Sequence, residues 1–302
     1  MKKPADKKPL GRRLYDARAS YILMLPFMLV FLVFILVPIV TSIGLSFTDY
    51  NMLQTPGFVG FNNYIRLFLE DDVFVIALKN TLLFALLTGP LGYLLSFFVA
   101  WFISGFNRAL RSLITLIMYA PTMAGTVYYV WTYIFSGDAK GMVNYALISL
   151  GLIKDPIQWL TDSTFSFYVM IIVIVWLGMG TGFLAFVAGF RSLDHSLFEA
   201  AAIDGVRNRF QELWHITLPQ MVPQLLFGAV MSISTSFALG HQNAAITGFP
   251  STNYATHTLL LHMLDHGVIR YEMGYSSTIA VVMFLIMVGT WYIINKGLRK
   301  LS

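Results

Sequence analysis

The stretch that decides the fold reads Tyr21-Ile-Leu-Met-Leu-Pro-Phe-Met-Leu-Val-Phe-Leu-Val-Phe-Ile-Leu-Val-Pro-Ile-Val-Thr-Ser-Ile-Gly-Leu-Ser-Phe47. It contains no Asp, Glu, Lys or Arg. A helix that crosses a bilayer needs roughly 20 apolar residues, so this run is long enough to span a membrane. It exceeds the apolar core of a cleaved secretory signal, which holds roughly 7–15 residues. The run therefore predicts a transmembrane helix that stays in the chain.

The composition of the whole chain favours lipid as its solvent. Of its 302 residues, 57% are hydrophobic and 12% are charged, whereas a soluble domain carries roughly 25% charged residues. The absence of cysteine excludes disulfides, thiolate metal sites and cysteine catalysis. The net charge of +5 allows nucleic-acid binding, but the basic residues lie where they would orient a membrane protein. We therefore expect contact with membrane lipid and none with nucleic acid.

Further charge-free runs extend this pattern along the chain and predict an all-α integral membrane protein with six transmembrane helices. The predicted spans cover about 21–47, 80–104, 112–135, 166–190, 221–240 and 275–295. Residues 1–18 are expected to form a basic N-terminal segment, and residues 19–302 a single transmembrane domain. Short helices outside the membrane are expected at 62–69 and 144–152.

The distribution of Lys and Arg predicts the orientation of these spans. Of the 20 basic residues, fifteen fall on the side of the N-terminus, in segments 1–18, 104–111, 191–218 and 296–302. Cytoplasmic loops carry such an excess of Lys and Arg in membrane proteins. Both termini are therefore predicted to be cytoplasmic.

The segment 191–219 differs from the other predicted cytoplasmic turns. Ser196 is expected to cap a helix, with Glu199 completing a capping box three residues later. Gly205 is expected to end that helix in the left-handed conformation. A second amphipathic stretch then covers 208–215. The pattern predicts a helix–Gly–helix hairpin between the fourth and fifth spans, here called the hairpin (residues 191–219).

Three parts of the hairpin carry a family resemblance: Glu199-Ala-Ala, then Gly205, then Ile216-Thr-Leu-Pro219. This arrangement resembles the cytoplasmic loop of binding-protein-dependent ABC importer permeases, although the spacing after the glycine is one residue longer than is usual there. The resemblance implies coupling helices that dock into a groove of an ATPase subunit. The alternative is an ordinary interfacial helix. The implied docking residues are Glu199, Ala200, Ala201, Asp204, Gly205 and Pro219.

The resemblance covers nearly the whole chain and points to the carbohydrate-uptake branch. The segments that carry it include Pro38–Asp49, Gly57–Tyr64, Gly248–Thr258 and Gly274–Ser277. It implies a permease subunit in the bacterial cell membrane that imports a sugar or oligosaccharide. The implied partners are a second related permease, two cytoplasmic ATPase subunits and an extracytoplasmic solute-binding protein.

Polar residues of the fifth span are candidates for the substrate pathway. Ser232, Thr235 and Ser236 recur at helical spacing and share one face. We expect Asn243 to return to that face further along, and His241 to lie near its outer end. The alternative is that these small hydroxyls hold membrane helices together.

Catalysis by this chain is not expected. The sequence has no Gly-x4-Gly-Lys-Ser/Thr phosphate-binding loop, and its histidines are interpreted as scattered without metal-ligand spacing. No carboxylate is predicted in the middle of a span, which disfavours a proton-coupled carrier. Neither a cofactor nor a metal is expected. The alternatives are the same architecture for glycerol phosphate or an amino acid, a membrane enzyme, or a membrane subunit without transport.

Overall fold

The computed structural model describes residues 18–125 and 127–298, so the predicted basic segment lies outside the described residues apart from Arg18. The described part of the chain is helical. Its helices are α1 (Arg18–Leu45), α2 (Asn62–Leu69), α3 (Asp72–Ser104), α4 (Arg108–Met123), α5 (Tyr128–Ile134), α6 (Met142–Ser149), α7 (Ser163–Leu177), α8 (Thr181–Ser192), α9 (His195–Ile203), α10 (Arg209–Gln220), α11 (Val222–Phe237), α12 (His241–Thr247), α13 (Leu259–Ile269) and α14 (Met273–Leu298).

Three of these helices, α1, α3 and α14, are each long and apolar enough to cross a membrane. Three bent pairs, α4 with α5, α7 with α8 and α10 with α11, pass the same test together, which allows up to six spans. The angle is 40° between α7 and α8 and 81° between α10 and α11. An all-helical chain with several apolar helices is therefore confirmed within the described residues.

The helix ends correct several predicted boundaries. The helix α3 begins at Asp72, eight residues before the predicted span at 80. The sequence did not predict this start, because Asp72 and Lys79 interrupt the charge-free run. The helix is capped by Asp71, whose carboxylate accepts a hydrogen bond from the Phe74 amide at 2.8 Å. The predicted third span is broken, since the backbone becomes extended at Ala124. The predicted fifth span ends early, at Phe237.

The centre of the bundle is formed by α3, α8 and α11, which pack against one another. Their contact buries aromatic side chains, including Phe97, Phe183 and Phe186. Glycines allow the backbones to approach, because a Cβ on Gly182 would lie 3.6 Å from the Cα of Gly228. Small residues at helix crossings are typical of membrane bundles, where packing rather than water exclusion drives association.

A second cluster joins the beginning of α3 to α2, α13 and α14. Its buried members include Leu67, Phe74, Leu259 and Ile279. The helix α1 packs on α14, but within the described part of the chain no residue of its most apolar stretch is buried. That face of α1 is free for lipid or for another membrane subunit.

Candidate functional site

The hairpin consists of α9 and α10 joined at a glycine. Its first helix is capped by Asp194, whose carboxylate accepts the Ser196 amide at 2.9 Å. The predicted cap at Ser196, with Glu199 completing a capping box, is therefore wrong. Asp194 takes the role because it stands one residue before the helix and also has a side-chain acceptor.

The turn of the hairpin has the predicted geometry. Gly205 has φ of +95°, in the left-handed region, directly after Asp204 at the C-cap of α9. The Val206 amide donates to the Ala201 carbonyl at 2.9 Å, which closes the end of the helix. A residue with a Cβ pays a steric penalty in this conformation, so glycine is preferred at the turn.

The hairpin presents an exposed surface of mixed chemistry. Glu199 and Ala200 are exposed on α9. Large apolar side chains lie exposed nearby in sequence: Ile203 at 87%, Phe210 at 68% and Trp214 at 71%. Exposed apolar groups rimmed by charge are typical of protein interaction sites.

The hairpin is also tied to the helical bundle. The Phe210 ring lies 5.2 Å from the Trp101 ring of α3. Pro219 lies in the last turn of α10, just before the sharp bend at Met221, and Met221 itself is fully buried. A displacement of the hairpin would therefore reach α11 through a short, packed connection.

A cavity of about 330 Å³ lies between α3, α4, α7, α8 and α11, and we call it the central cavity. Among the residues that the structure describes, its wall contains no Asp, Glu, Lys or Arg. Residues at the break between α7 and α8, including Gly178 and Gly180, line it. Irregular backbone at membrane depth is tolerated where it lines a water-filled space, which fits a helix break here. The polar wall residues are Thr88, Tyr93, Ser96, Tyr119, Thr122, Thr181, Ser232, Thr235, Ser236 and Gln242.

The three predicted hydroxyls of the fifth span all line the central cavity, but they differ in their contacts. Ser232 donates to the Gly89 carbonyl of α3 at 2.7 Å, which is a bond between helices. Ser236 is buried and donates to the Ser232 carbonyl at 2.7 Å. Thr235 is exposed and bonds only to backbone of its own helix. The geometry therefore gives Ser232 a packing contact and leaves Thr235 accessible.

The structure places the other two predicted residues away from the central cavity. Asn243 is fully buried, and its amide donates to the Thr256 carbonyl at 2.8 Å. The expectation that it shares the face of Ser232 is wrong, because that helix ends at Phe237 and Asn243 belongs to the separate helix α12. His241 is exposed and does not line the cavity, whereas its neighbour Gln242 does.

Several residues of α3 that line the cavity were not predicted from the sequence. Thr88, Gly92 and Ser96 recur every fourth residue and line one wall. Residues four apart lie on one face of a helix, so this stripe of small and polar side chains was the available signal.

Comparisons with known proteins agree with this architecture. Residues 89–297 match the family described as binding-protein-dependent transport system inner membrane component. The chain is 31% identical to the probable ABC transporter permease protein YesP of Bacillus subtilis (strain 168), covering 90% of this chain and 87% of that protein. It is 28% identical to the arabinooligosaccharides transport system permease protein AraP of the same organism, covering 94% and 90%.

Solved structures share the fold. The chain superposes with a TM-score of 0.80 on a chain of a bacterial alginate ABC transporter, solved in complex with an alginate pentasaccharide-bound periplasmic protein. The two are 21% identical, over 97% of this chain and 98% of that chain. The family match covers more than half of the sequence. The chain therefore belongs to the binding-protein-dependent transport system inner membrane components and is a permease subunit of an ABC importer.

Proposed function

We propose that this permease moves a neutral sugar or oligosaccharide through the central cavity, driven by separate ATPase subunits that dock on the hairpin. The observation that carries this proposal is the uncharged, hydroxyl-rich wall of the cavity. Hydroxyl and amide side chains can replace the water around a sugar, with each neutral hydrogen bond contributing roughly 0.5–1.5 kcal/mol.

The charge of the cavity wall also discriminates between the candidate cargoes. A phosphate or carboxylate is recognised best by Arg, Lys or a cluster of backbone amides, and the described wall of the cavity has no basic side chain. Glycerol phosphate and amino acids therefore fit less well than a neutral carbohydrate. AraP, named for arabinooligosaccharides, supports the same cargo class by analogy.

The proposed topology has six spans, with residues 19–302 forming a single transmembrane domain and both termini in the cytoplasm. Each bent helix pair then forms one span, and the hairpin lies on the cytoplasmic face. The location is the bacterial cell membrane. The excess of Lys and Arg in segments on the side of the N-terminus supports this orientation.

The proposed partners follow from the size of the pathway and from the hairpin. A second related permease would close the side of the cavity that this chain leaves open, and a solute-binding protein would deliver cargo from outside. Two ATPase subunits would supply the energy. The proposed docking residues are Glu199, Ala200, Ala201, Asp204, Gly205 and Pro219.

The coupling step can be derived from the contacts of the hairpin. When the ATPase subunits close, they would displace α9 and α10. The short bend at Met221 would transmit this displacement to α11, which carries Thr235 on the cavity wall. Contacts to cargo would then change with the state of the ATPase.

Uptake measurements test the proposed cargo. We expect a strain lacking this chain to lose uptake of labelled neutral oligosaccharides and to regain it when the wild-type chain is returned. Uptake of labelled glycerol phosphate and amino acids should stay the same in both strains. Unchanged oligosaccharide uptake together with lost glycerol phosphate or amino acid uptake would contradict the assignment.

A further inference from the structure

Two histidines and a carboxylate meet at the end of the bundle where α3 and α14 begin. We call Asp71, His262 and His266 the histidine–aspartate cluster. Each offers one ligand atom, and these atoms all lie within 4.8 Å of one another. The side chains are 13%, 2% and 4% exposed, respectively.

The separations within the cluster suit one small cation. The Asp71 Oδ2 atom lies 2.9 Å from His262 Nε2 and 4.0 Å from His266 Nε2. A tetrahedral Zn²⁺ bonds nitrogen and oxygen ligands at about 2.0–2.2 Å, which places those ligands roughly 3.3–3.6 Å apart. The two observed distances lie on either side of that range, so small side-chain shifts would admit the ion.

A second layer of contacts orients the cluster. Glu272 Oε2 lies 2.6 Å from His266 Nδ1, which leaves His266 Nε2 facing Asp71. Arg66 holds that carboxylate at 3.1 Å. The Tyr275 hydroxyl donates to Asp71 Oδ2 at 2.6 Å and so connects the start of α14 to the cluster. A carboxylate behind a metal-binding histidine is a recurrent arrangement that fixes the ring and its tautomer.

The charges around the cluster favour a cation. Asp71 and Glu272 place two carboxylates at the cluster, where Arg66 pairs with Glu272, and a second basic side chain near His266, Arg270, is paired with Asp265.

The helix that carries the histidines supplies the required spacing. His262 and His266 stand four residues apart on α13, so both rings project from one face. The interpretation that the histidines lack metal-ligand spacing is therefore wrong for this pair. The second histidine lies in a π-helical turn, Asp265–Ile269, a feature frequent at functional sites. The His262 Nδ1 atom is buried without a hydrogen-bond partner.

We propose that Asp71, His262 and His266 form a zinc site that ties the beginning of α3 to α13 and, through Tyr275, to α14. Two imidazoles with one carboxylate are a borderline-soft donor set that suits Zn²⁺ better than Mg²⁺ or Ca²⁺. None of these three residues belongs to the hairpin. The role of the zinc site is to hold together the helix ends at the face that the proposed topology places outside.

Zinc titration of the full-length chain tests this site. The chain is purified in detergent with a tag that contains no histidine, stripped with a chelator, and titrated with Zn²⁺ against a chromogenic competitor. Because the sequence has no cysteine, thiolates cannot contribute. We expect one tightly bound Zn²⁺ per chain and a higher thermal unfolding midpoint with zinc.

Matched variants locate the ion. His266→Gln and Asp71→Asn should each lower the zinc affinity at least tenfold and abolish the thermal shift, and Glu272→Gln should lower the affinity about 10–100-fold. His215→Gln, at an exposed histidine of the hairpin, should bind zinc like the wild type.

Cobalt provides a measurement that needs no variant. Co²⁺ bound to the wild-type chain should give the intense visible absorption of a tetrahedral site, and Zn²⁺ should remove it. The proposal is overturned if the wild type binds no stoichiometric zinc or gives only an octahedral cobalt spectrum. It is equally overturned if well-folded His266→Gln and Asp71→Asn variants bind zinc as tightly as the wild type.

Discussion

Neighbouring hydroxyls on α11 have different contacts although they share one helical face. Ser232 bonds to the Gly89 carbonyl across the helix interface, whereas Thr235 stays open to the central cavity. Ser236 is packed beside Gly89, because a Cβ on that glycine would meet its Oγ at 3.1 Å. On one face of α11, Ser232 and Ser236 therefore contribute to helix packing, whereas Thr235 is open to the cavity.

This difference predicts that two single substitutions impair different properties, one transport and the other stability. Thr235→Val keeps the side-chain shape but removes a hydroxyl from the cavity, so uptake should fall roughly two- to tenfold at 0.5–1.5 kcal/mol per lost hydrogen bond. Ser232→Ala removes a bond between helices, which contributes about 0.6 kcal/mol on average in membranes. It should lower the thermal stability of the purified chain and change uptake less. Transport and unfolding midpoints measured on both variants decide this, and equal damage to uptake would contradict the assignment.

Single residues were predictable where local geometry decides their role. Gly205 was identified from its position after a helical period, and its left-handed φ confirms it. The capping residue was misplaced by two positions, because Asp194 and Ser196 are both good caps in sequence. Asn243 was misplaced because its face was extrapolated through a helix end that composition does not mark. The histidine–aspartate cluster was missed because Asp71 lies 191 positions before His262 in the sequence.

The hairpin connects an exposed surface to the buried start of α11. Its two helices meet at one left-handed residue, and its second helix bends by 81° into α11. Hydropathy predicted where the apolar helices lie. It could not predict the breaks at Ala124 and at Gly178, because an apolar run looks the same whether the backbone inside it is straight or bent. Those breaks depend on tertiary packing, and the break at Gly178 also lines the central cavity.

Substitution of Gly205 tests whether the turn of the hairpin is needed for transport. Gly205→Val forces a β-branched residue into the left-handed region, where an L-residue pays roughly 1–2 kcal/mol. We expect uptake to fall severalfold while the amount of chain in the membrane stays normal. Gly205→Asn is the matched control, since Asn tolerates this conformation, and it should retain most of the uptake. Normal uptake by the valine variant would show that the turn geometry is not needed for coupling.

In the proposed assembly, this chain supplies one half of a pathway and a second permease supplies the other half. The central cavity is bounded by α3, α4, α7, α8 and α11, while α1 leaves its most apolar face uncovered. The sequence predicted the helical membrane fold and the family from hydropathy and from the hairpin motif. The number of spans and their orientation depend on how bent pairs sit in a bilayer.

Single-cysteine labelling checks that topology, because the chain has no native cysteine. Ser196→Cys on the hairpin and Thr252→Cys between α12 and α13 both replace exposed residues. A membrane-impermeant thiol reagent should label position 252 in intact cells, and position 196 only after the membrane is opened. The reverse pattern would invert the proposed orientation, and labelling of both in intact cells would rule out six spans.

If an ATPase subunit docks on the hairpin as we propose, site-directed photocrosslinking should capture the contact. A photoactivatable phenylalanine derivative is placed at position 200, which is exposed on α9, or at position 252 as the control. After irradiation of intact membranes, we expect position 200 to crosslink an ATPase subunit, identified by peptide mass spectrometry. The neighbouring change Glu199→Lys should reduce that product. A crosslink to lipid or to other proteins only, with no ATPase peptide from position 200, would contradict the account.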